Sequence, residues 1–453
     1  MNILLKNATI VTQNEQREVL KGDIRIEGNR IEEVAPRIEN PGIEELDLSG
    51  YTVIPGLIQT HVHLCQALFR NLADDLELLE WLNRYIWPME MAHTPASLRA
   101  SARLGLFEIL SSGVTTILDM GCSRHMEVVF EEMQRCGIRG FSGKVMMDAG
   151  GQAYKEPTAA VLESTEELIR SLDHNATPVP QKVAGQAERK SVFSRRIGYA
   201  LAPRFVLTCS DRLWEAVGEL AEKYDLLIHT HSSENRTELE IVKAQTGYSN
   251  VEFFVERGLA SSRLCLAHCV WLNGNEMEYL QEYRINVLHC PSANLKLGSG
   301  FAPVPQMLEK GINVSLGSDG APCNNNLDLF TDMRLAALIH KPNAGVRSIN
   351  AQQVLDMATL GGAQALGLAE QIGSIAPGKL ADLAILDLNK VHLVPADNVV
   401  SQIVYSAQSR DVAQVMVDGE WVVRNGAPVS LEESEIVAEA RQECAALLAR
   451  LNL

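Results

Sequence analysis

Across residues 56–365 the chain alternates short apolar runs with longer amphipathic segments, and this alternation limits the folds open to it. The runs are "VIPGLIQTHVHL", "VTTILDM", "IRGFSGKVMM", "IGYALAP", "LLIHTHSSE", "LCLAHCV", "INVLHCP" and "INVSLGSDG". Segments apolar at helical spacing, such as "ASLRASARLGLFEILSSG" and "RLWEAVGELAEKYD", lie between them. Repeated strand–helix units imply a parallel sheet covered by helices, because each parallel connection has to cross back over the sheet. Eight units in about 300 residues fit an α/β fold of the (β/α)8 TIM-barrel type. An open doubly wound sheet is the alternative, but no Gly-x-Gly-x-x-Gly follows a strand.

The chain ends follow a different rule. Residues 1–55 read as alternating strands, "ILLKNATIVT", "GDIRIEGNRIEEVA" and "IEELDLSGYTVIP", with turns expected at Gly22-Asp23 and Gly28-Asn29. Residues 366–453 return to this style in "ADLAILDL" and "VAQVMVDGEWVVRNG", the second with an Asp-Gly hairpin signal, and close on a helix. The expectation is a smaller β-sandwich domain built from 1–55 and 366–453, interrupted by the barrel of 56–365. The stretch 173–196 fits neither pattern and reads as an inserted loop, a kind of segment that is often functional.

Charge and cysteine usage narrow the partners. With 40 basic and 57 acidic residues the net charge is −17, which argues against nucleic acid, since phosphate binding calls for a basic surface. No apolar run reaches the roughly 18–20 residues of a membrane span, and the N-terminus lacks the pattern of a signal peptide. The nine cysteines form no Cys-x-x-Cys pair and are odd in number, as expected of reduced thiols in a cytoplasmic protein.

The polar residues carry the functional reading. In a strand, His61 and His63 point the same way, and two neutral imidazoles on one face offer two lone pairs to a common point. Taken alone the pair also fits core or surface histidines. However, the fifth run ends in His229-Thr230-His231 and Glu234, the sixth in His268, the seventh in His289 and the eighth in Asp319. The chain has 11 histidines, so this gathering at the carboxyl ends of strands, where barrel active sites lie, points to a metal site.

These residues sit in motifs that resemble the amidohydrolase superfamily, in its branch of cytosine/guanine deaminases, methylthioadenosine/S-adenosylhomocysteine deaminases and triazine hydrolases. The motifs are "PGLIQTHVHL", "HTHSSEN", "LAHCV", "HCPSANLKLGSGFAPV" and "LGSDGAPCNNNLDLF", with "GSIAPGKLADLAILDL" and "VMVDGEWVVRNG" toward the end. The resemblance implies that His61, His63, His231 and Asp319 hold one divalent metal, zinc or else iron(II). It makes Glu234 the proton shuttle, Asp319 the base and His268 a neighbour of the attacking water. A second metal would need a lysine ending the fourth strand, which here ends "ALAPRF". His229 and His289 read as packing or supporting residues, and for Glu234 the alternative is a helix cap.

For the substrate, the resemblance implies that Trp81 flanks a ring and that Glu90 accepts from ribose hydroxyls or ring nitrogens. Gln66 and Arg204 resemble the residues with which guanine deaminases read the ring edge; methylthioadenosine deaminases carry a histidine where Arg204 stands. Core packing for Trp81, an exposed helix-end acid for Glu90 and a surface ion pair for Arg204 are the alternatives. The expectation is a hydrolytic deaminase of an amino-substituted N-heterocycle, with a guanine-, oxopurine- or pterin-like ring preferred. The alternatives are deamination of methylthioadenosine or S-adenosylhomocysteine, then triazine hydrolysis, and, in another class, a non-catalytic scaffold with a dead metal site. Water and a small heterocycle are the expected partners, in a homodimer or homotetramer.

Overall fold

A computed structural model of the protein describes residues 2–40, 42–150, 154–174 and 196–451. Eight parallel strands make the barrel: Leu57–Val62, Val114–Asp119, Arg139–Ser142, Ile197–Pro203, Leu227–Ser232, Leu264–His268, Asn286–His289 and Val314–Leu316. Each pairs with the next in that order. The first and last strands close the ring where Thr60 Oγ1 donates to Leu316 O (3.0 Å) and Asp319 N donates to His61 O (2.9 Å). The first two strands are buried along their whole length, as expected of strands packed between a barrel interior and a helical layer. Helices such as Pro95–Ser111 and Asp211–Tyr224 supply that layer; the first is started by the Thr94 cap, the second by the Ser210 cap. Much of the stretch 173–196 lies outside the described residues.

The chain ends meet in a second, nine-stranded sheet. Thr52–Pro55, which leads into the barrel, lies parallel to Asn2–Val11 and antiparallel to Leu383–Leu386, so it joins the two ends. Ile3, Leu5, Ile24, Val53, Leu383 and Met416 belong to one buried apolar cluster that spans both halves. The hairpin expected at Asp418-Gly419 forms between Val412–Val417 and Glu420–Arg424, with both turn residues at positive φ (54° and 74°). Gly22, expected to turn the chain, instead lies inside the strand Val19–Glu27. A Cβ there would sit 2.3 Å from Ala35 O, so this glycine admits the neighbouring strand Arg30–Ala35 rather than reversing the chain.

All nine cysteines are free thiols, eight of them buried. Among the described residues no helix is long and apolar enough to cross a membrane.

Candidate active site

Three strand ends bring the four expected ligands together. His61 and His63 come from the first strand, His231 from the fifth, and Asp319 follows the eighth. Asp319 Oδ1 lies 3.4 Å from His61 Nε2 and 3.3 Å from His63 Nε2, which is itself 3.3 Å from His231 Nε2. All four side chains are buried or nearly so. His231 donates from Nδ1 to the carbonyl of Arg204 (2.7 Å), which leaves its Nε2 as a lone pair. His61 Nδ1 meets His229 Nε2 at 2.7 Å, so its own Nε2 is buried without a hydrogen-bond partner. Burial, the largest cause, holds His61, His63 and His231 below the ordinary imidazole range, in the neutral form that donates electrons. Burial opposes the Asp319 carboxylate, but the neighbouring His61 and His63 outweigh it and keep the carboxyl well below its usual range.

This donor set fits a divalent cation. Among these groups, His61, His63 and Asp319 lie close enough together to hold one ion, and His231 adjoins them through His63. Three of the separations, at 3.3–3.4 Å, are of the length, about 3.3 Å, of an edge of a tetrahedron with the roughly 2.0–2.1 Å bonds of zinc. His229 sits one layer below the set, against His61, as a supporting residue. His289 is fully buried, its ring nitrogens have no hydrogen-bond partner, and its ring lies tilted against that of His340 (6.0 Å between ring centres).

Two further groups face the cluster. His268 donates from Nδ1 to Asn294 Oδ1 (2.8 Å) and turns Nε2 toward Glu234 Oε2 (3.5 Å) and Asp319 Oδ2 (3.8 Å). Glu234 is buried, and burial raises its carboxyl to about 7 although His268 pulls the other way. It is not the cap of the next helix: Asn235 and Glu238 cap Arg236–Thr246, and Glu238 accepts the Glu234 backbone N–H (2.9 Å). The Glu234 side chain is left with Ser299 Oγ at 3.3 Å and His268. The backbone bends sharply at this rim, with left-handed φ at Ser233 (56°), His268 (73°), Cys269 (47°) and Asp319 (64°). Such conformations cost about 1–3 kcal/mol each and are concentrated at functional sites.

A cleft opens above these groups. His63, His231, Glu234, His268 and Asp319 form its floor, and Gln66, Trp81 and Arg204 line it together with Leu78, Leu82, Phe205 and Leu297. Glu90 is buried, and its two oxygens accept from Gln66 Nε2 (2.7 Å) and Arg204 Nη1 (2.6 Å). Arg204 is therefore in a buried ion pair, 2% exposed, and its guanidinium is partly committed to Glu90.

Sequence reasoning passed over Asp119, which ends the second strand and accepts from Leu64 N (2.8 Å) and Ser142 Oγ (2.5 Å), so that it anchors the turn after His63. The rule that found His268, a polar residue closing a strand run, applies to "VTTILDM" as well. Asn294, Glu238 and Ser299 were also missed. Asn294 touches His268 and Ser299 touches Glu234 from 26 and 65 residues away, where no local pattern announces them, whereas Glu238 belongs to the capping box of the helix just after Glu234.

Known proteins resemble the chain over nearly its whole length. Residues 52–422 match the amidohydrolase family. The chain is 39% identical to a 5'-deoxyadenosine deaminase of Methanothermobacter thermautotrophicus, covering 95% of each chain. It is 38% identical to a 5-methylthioadenosine/S-adenosylhomocysteine deaminase of Thermococcus onnurineus, covering 93% of each. Its fold superposes on a zinc-bound adenosine deaminase from Xanthomonas campestris with a TM-score of 0.88 and 28% identity, over 99% of both chains. Strand-end histidines, a buried glutamate beside them and full-length similarity lead to one conclusion: the chain belongs to the amidohydrolase family.

Proposed function

We propose that this protein is a metal-dependent aminohydrolase of adenosine-type nucleosides, which replaces the ring amino group by a carbonyl and releases ammonia. The observation that carries the reading is the convergence of His61, His63, His231 and Asp319 beneath a cavity that Glu234 and His268 also face. Full-length relatives at 38–39% identity are named as deaminases of 5'-deoxyadenosine and of methylthioadenosine or S-adenosylhomocysteine. They support the adenosine-type alternative over the oxo-bearing ring preferred from Gln66 and Arg204. The engagement of Arg204 by Glu90 agrees, because a guanidinium held from behind is not a free fork waiting for a ring carbonyl.

Zinc is the metal we propose, on the donor set and on the zinc of the Xanthomonas structure. Bound there, a divalent ion supplies Lewis acidity, which brings the pKa of water from about 16 to near 7. Asp319, held ionised, accepts a proton from the attacking water. Glu234, whose carboxyl sits at about 7, is partly protonated at neutral pH, and in that form it passes its proton to the ring nitrogen beside the reacting carbon, which makes that carbon electrophilic. His268, fixed by Asn294, points Nε2 at the incoming oxygen. Return of a proton to the amine lets the carbon–nitrogen bond break, so water and the amine leave as carbonyl and ammonia. Leu78, Leu82, Phe205 and Leu297 keep the cavity wall dry.

An ammonia-release screen over 5'-deoxyadenosine, methylthioadenosine, S-adenosylhomocysteine, adenosine and guanine tests the reading. Turnover of the adenosine-type compounds is expected. Guanine as the preferred substrate, with the nucleosides untouched, would reverse it.

A further inference from the structure

The helix Pro291–Lys296 runs into the sequence Leu297-Gly298-Ser299-Gly300. Gly298 (φ 64°) and Gly300 (φ 127°) take backbone conformations that residues with a Cβ rarely adopt, so the chain turns on either side of Ser299. Ser299 N closes the turn by donating to Asn294 O (2.8 Å). Ser299 itself is 2% exposed, and its hydroxyl donates inward to Glu234 Oε1 (3.3 Å). A second strut comes from the loop after the sixth strand, where Trp271 Nε1 donates to Ser299 O (2.7 Å). The Arg236 guanidinium lies 3.9 Å from the centre of that indole ring and holds it by a cation–π contact. A Cβ at Gly300 would stand 3.0 Å from Trp271 Cζ2, so the glycine also lets the indole close on the turn. Val270 and Trp271 in turn donate their backbone N–H groups to Ser233 O (both 2.9 Å), beside Glu234. One stretch of chain thus reaches both proton-handling groups of the site: Asn294 Oδ1 accepts from His268, and Ser299 Oγ donates to Glu234.

Resting on the aminohydrolase reading above, we propose that Ser299, braced by Trp271, is a positioning residue that decides which oxygen of Glu234 delivers the proton. A hydroxyl donating to Oε1 leaves Oε2 to carry the transferable proton, and Oε2 is the oxygen that faces His268 Nε2 (3.5 Å). When the Oε2–H bond breaks and the proton goes to the ring nitrogen, its electron pair stays on the carboxylate. That charge is shared by both oxygens, so the Ser299 hydrogen bond becomes charge-assisted and strengthens as the proton leaves. Ser299 keeps its own proton throughout. An interaction that gains strength only on the way to the transition state raises kcat and leaves KM alone.

Two double-mutant cycles on the zinc-loaded enzyme test this, with ammonia release resolved into kcat and KM and zinc content measured for every variant. Ser299→Ala is expected to lower kcat about 10- to 100-fold, the worth of a hydrogen bond to a charged group, with KM and zinc content unchanged. In the Glu234→Gln background, where no carboxylate can form, Ser299→Ala is expected to cost about 2-fold or less. Trp271→Phe keeps a ring beside Gly300 and loses the N–H, so it is expected to lower kcat by a smaller factor, and to add about 2-fold or less to Ser299→Ala. A wild-type kcat in Ser299→Ala, or an additive loss in either cycle, would overturn the proposal. A rise in KM that accounts for the loss would overturn it by placing Ser299 on the substrate, and loss of zinc would do so by routing the effect through the ligands. A wild-type enzyme that releases ammonia from guanine and not from the nucleosides would defeat the adenosine-type reading alone, and the same cycles on guanine would then decide this proposal.

Discussion

Replacing Arg139 by methionine should destabilise the protein without touching its chemistry. Arg139 opens the third barrel strand, at the end opposite the catalytic rim. Its Nε and Nη2 donate to Asp382 at 2.8 and 3.1 Å, and Nη2 lies 3.6 Å from Asp418. Arg196 reaches Asp418 from the other side at 3.4 Å. The three side chains of Arg139, Asp382 and Asp418 are 3%, 2% and 1% exposed, and both aspartates belong to the composite sheet region, so the cluster fastens that region to the barrel. Arg139 and Arg196 are the two cations facing the buried Asp382 and Asp418, and Arg196 also pairs with the exposed Glu420 (2.6 Å). Arg139→Met keeps the length of the side chain but leaves both carboxylates buried against Arg196 alone, a change that costs about 3–5 kcal/mol. Against a typical total of about 5–15 kcal/mol, that loss is a large fraction. Urea unfolding should show a lower midpoint at constant slope, while ammonia release by the folded protein stays at the wild-type rate. Adding Asp382→Leu removes the buried carboxylate that Arg139 had paired, so the double mutant should be more stable than Arg139→Met alone. A single mutant within about 0.5 kcal/mol of the wild type, or a double mutant as unstable as the sum of its parts, would refute the reasoning.

Other expectations follow from the site and its supports. Glu234→Gln keeps the shape but cannot shuttle a proton, so kcat should fall about 10²- to 10⁴-fold with zinc content unchanged in metal analysis. His93 is buried, donates from Nε2 to Cys65 O (2.7 Å), and is held down to about 4, chiefly by burial. Its unfolded form takes up a proton from about pH 6.5 downward, whereas the folded form resists until about 4, so stability is lost as pH falls through that window. By pH 5 the loss is roughly 2 kcal/mol. Melting curves at pH 8 and pH 5 should show a smaller acid-induced drop for His93→Gln than for the wild type, and equal drops would show that His93 is not responsible.

The barrel was legible because strand and helix periodicities differ, and the alternation of runs survives without any knowledge of tertiary contacts. The ligands were legible for a related reason. A strand fixes the direction of its last side chains, so His61, His63, His231, His268 and Asp319 could be placed on one rim from position alone. What stayed hidden depends on approach between distant segments. Gly22 carries a turn residue's identity but serves a close contact with Ala35, which no window around it reveals. Glu90 and Arg204 are 114 residues apart, and nothing in either neighbourhood says that one holds the other. The preference drawn from Arg204 failed to find support for that reason: a guanidinium reads differently when a buried carboxylate already occupies part of its fork. The left-handed bends at His268 and Asp319, which aim those side chains, are likewise tertiary in origin.

The central claim is that four side chains share one cation. Metal analysis of the purified protein, beside His61→Ala, His63→Ala, His231→Ala and Asp319→Ala, tests it most directly. The account predicts one zinc ion per chain in the wild type, lost in each variant, with ammonia release abolished by chelation and restored by zinc. A wild-type protein that deaminates at full rate without metal, or variants that keep their ion, would contradict it.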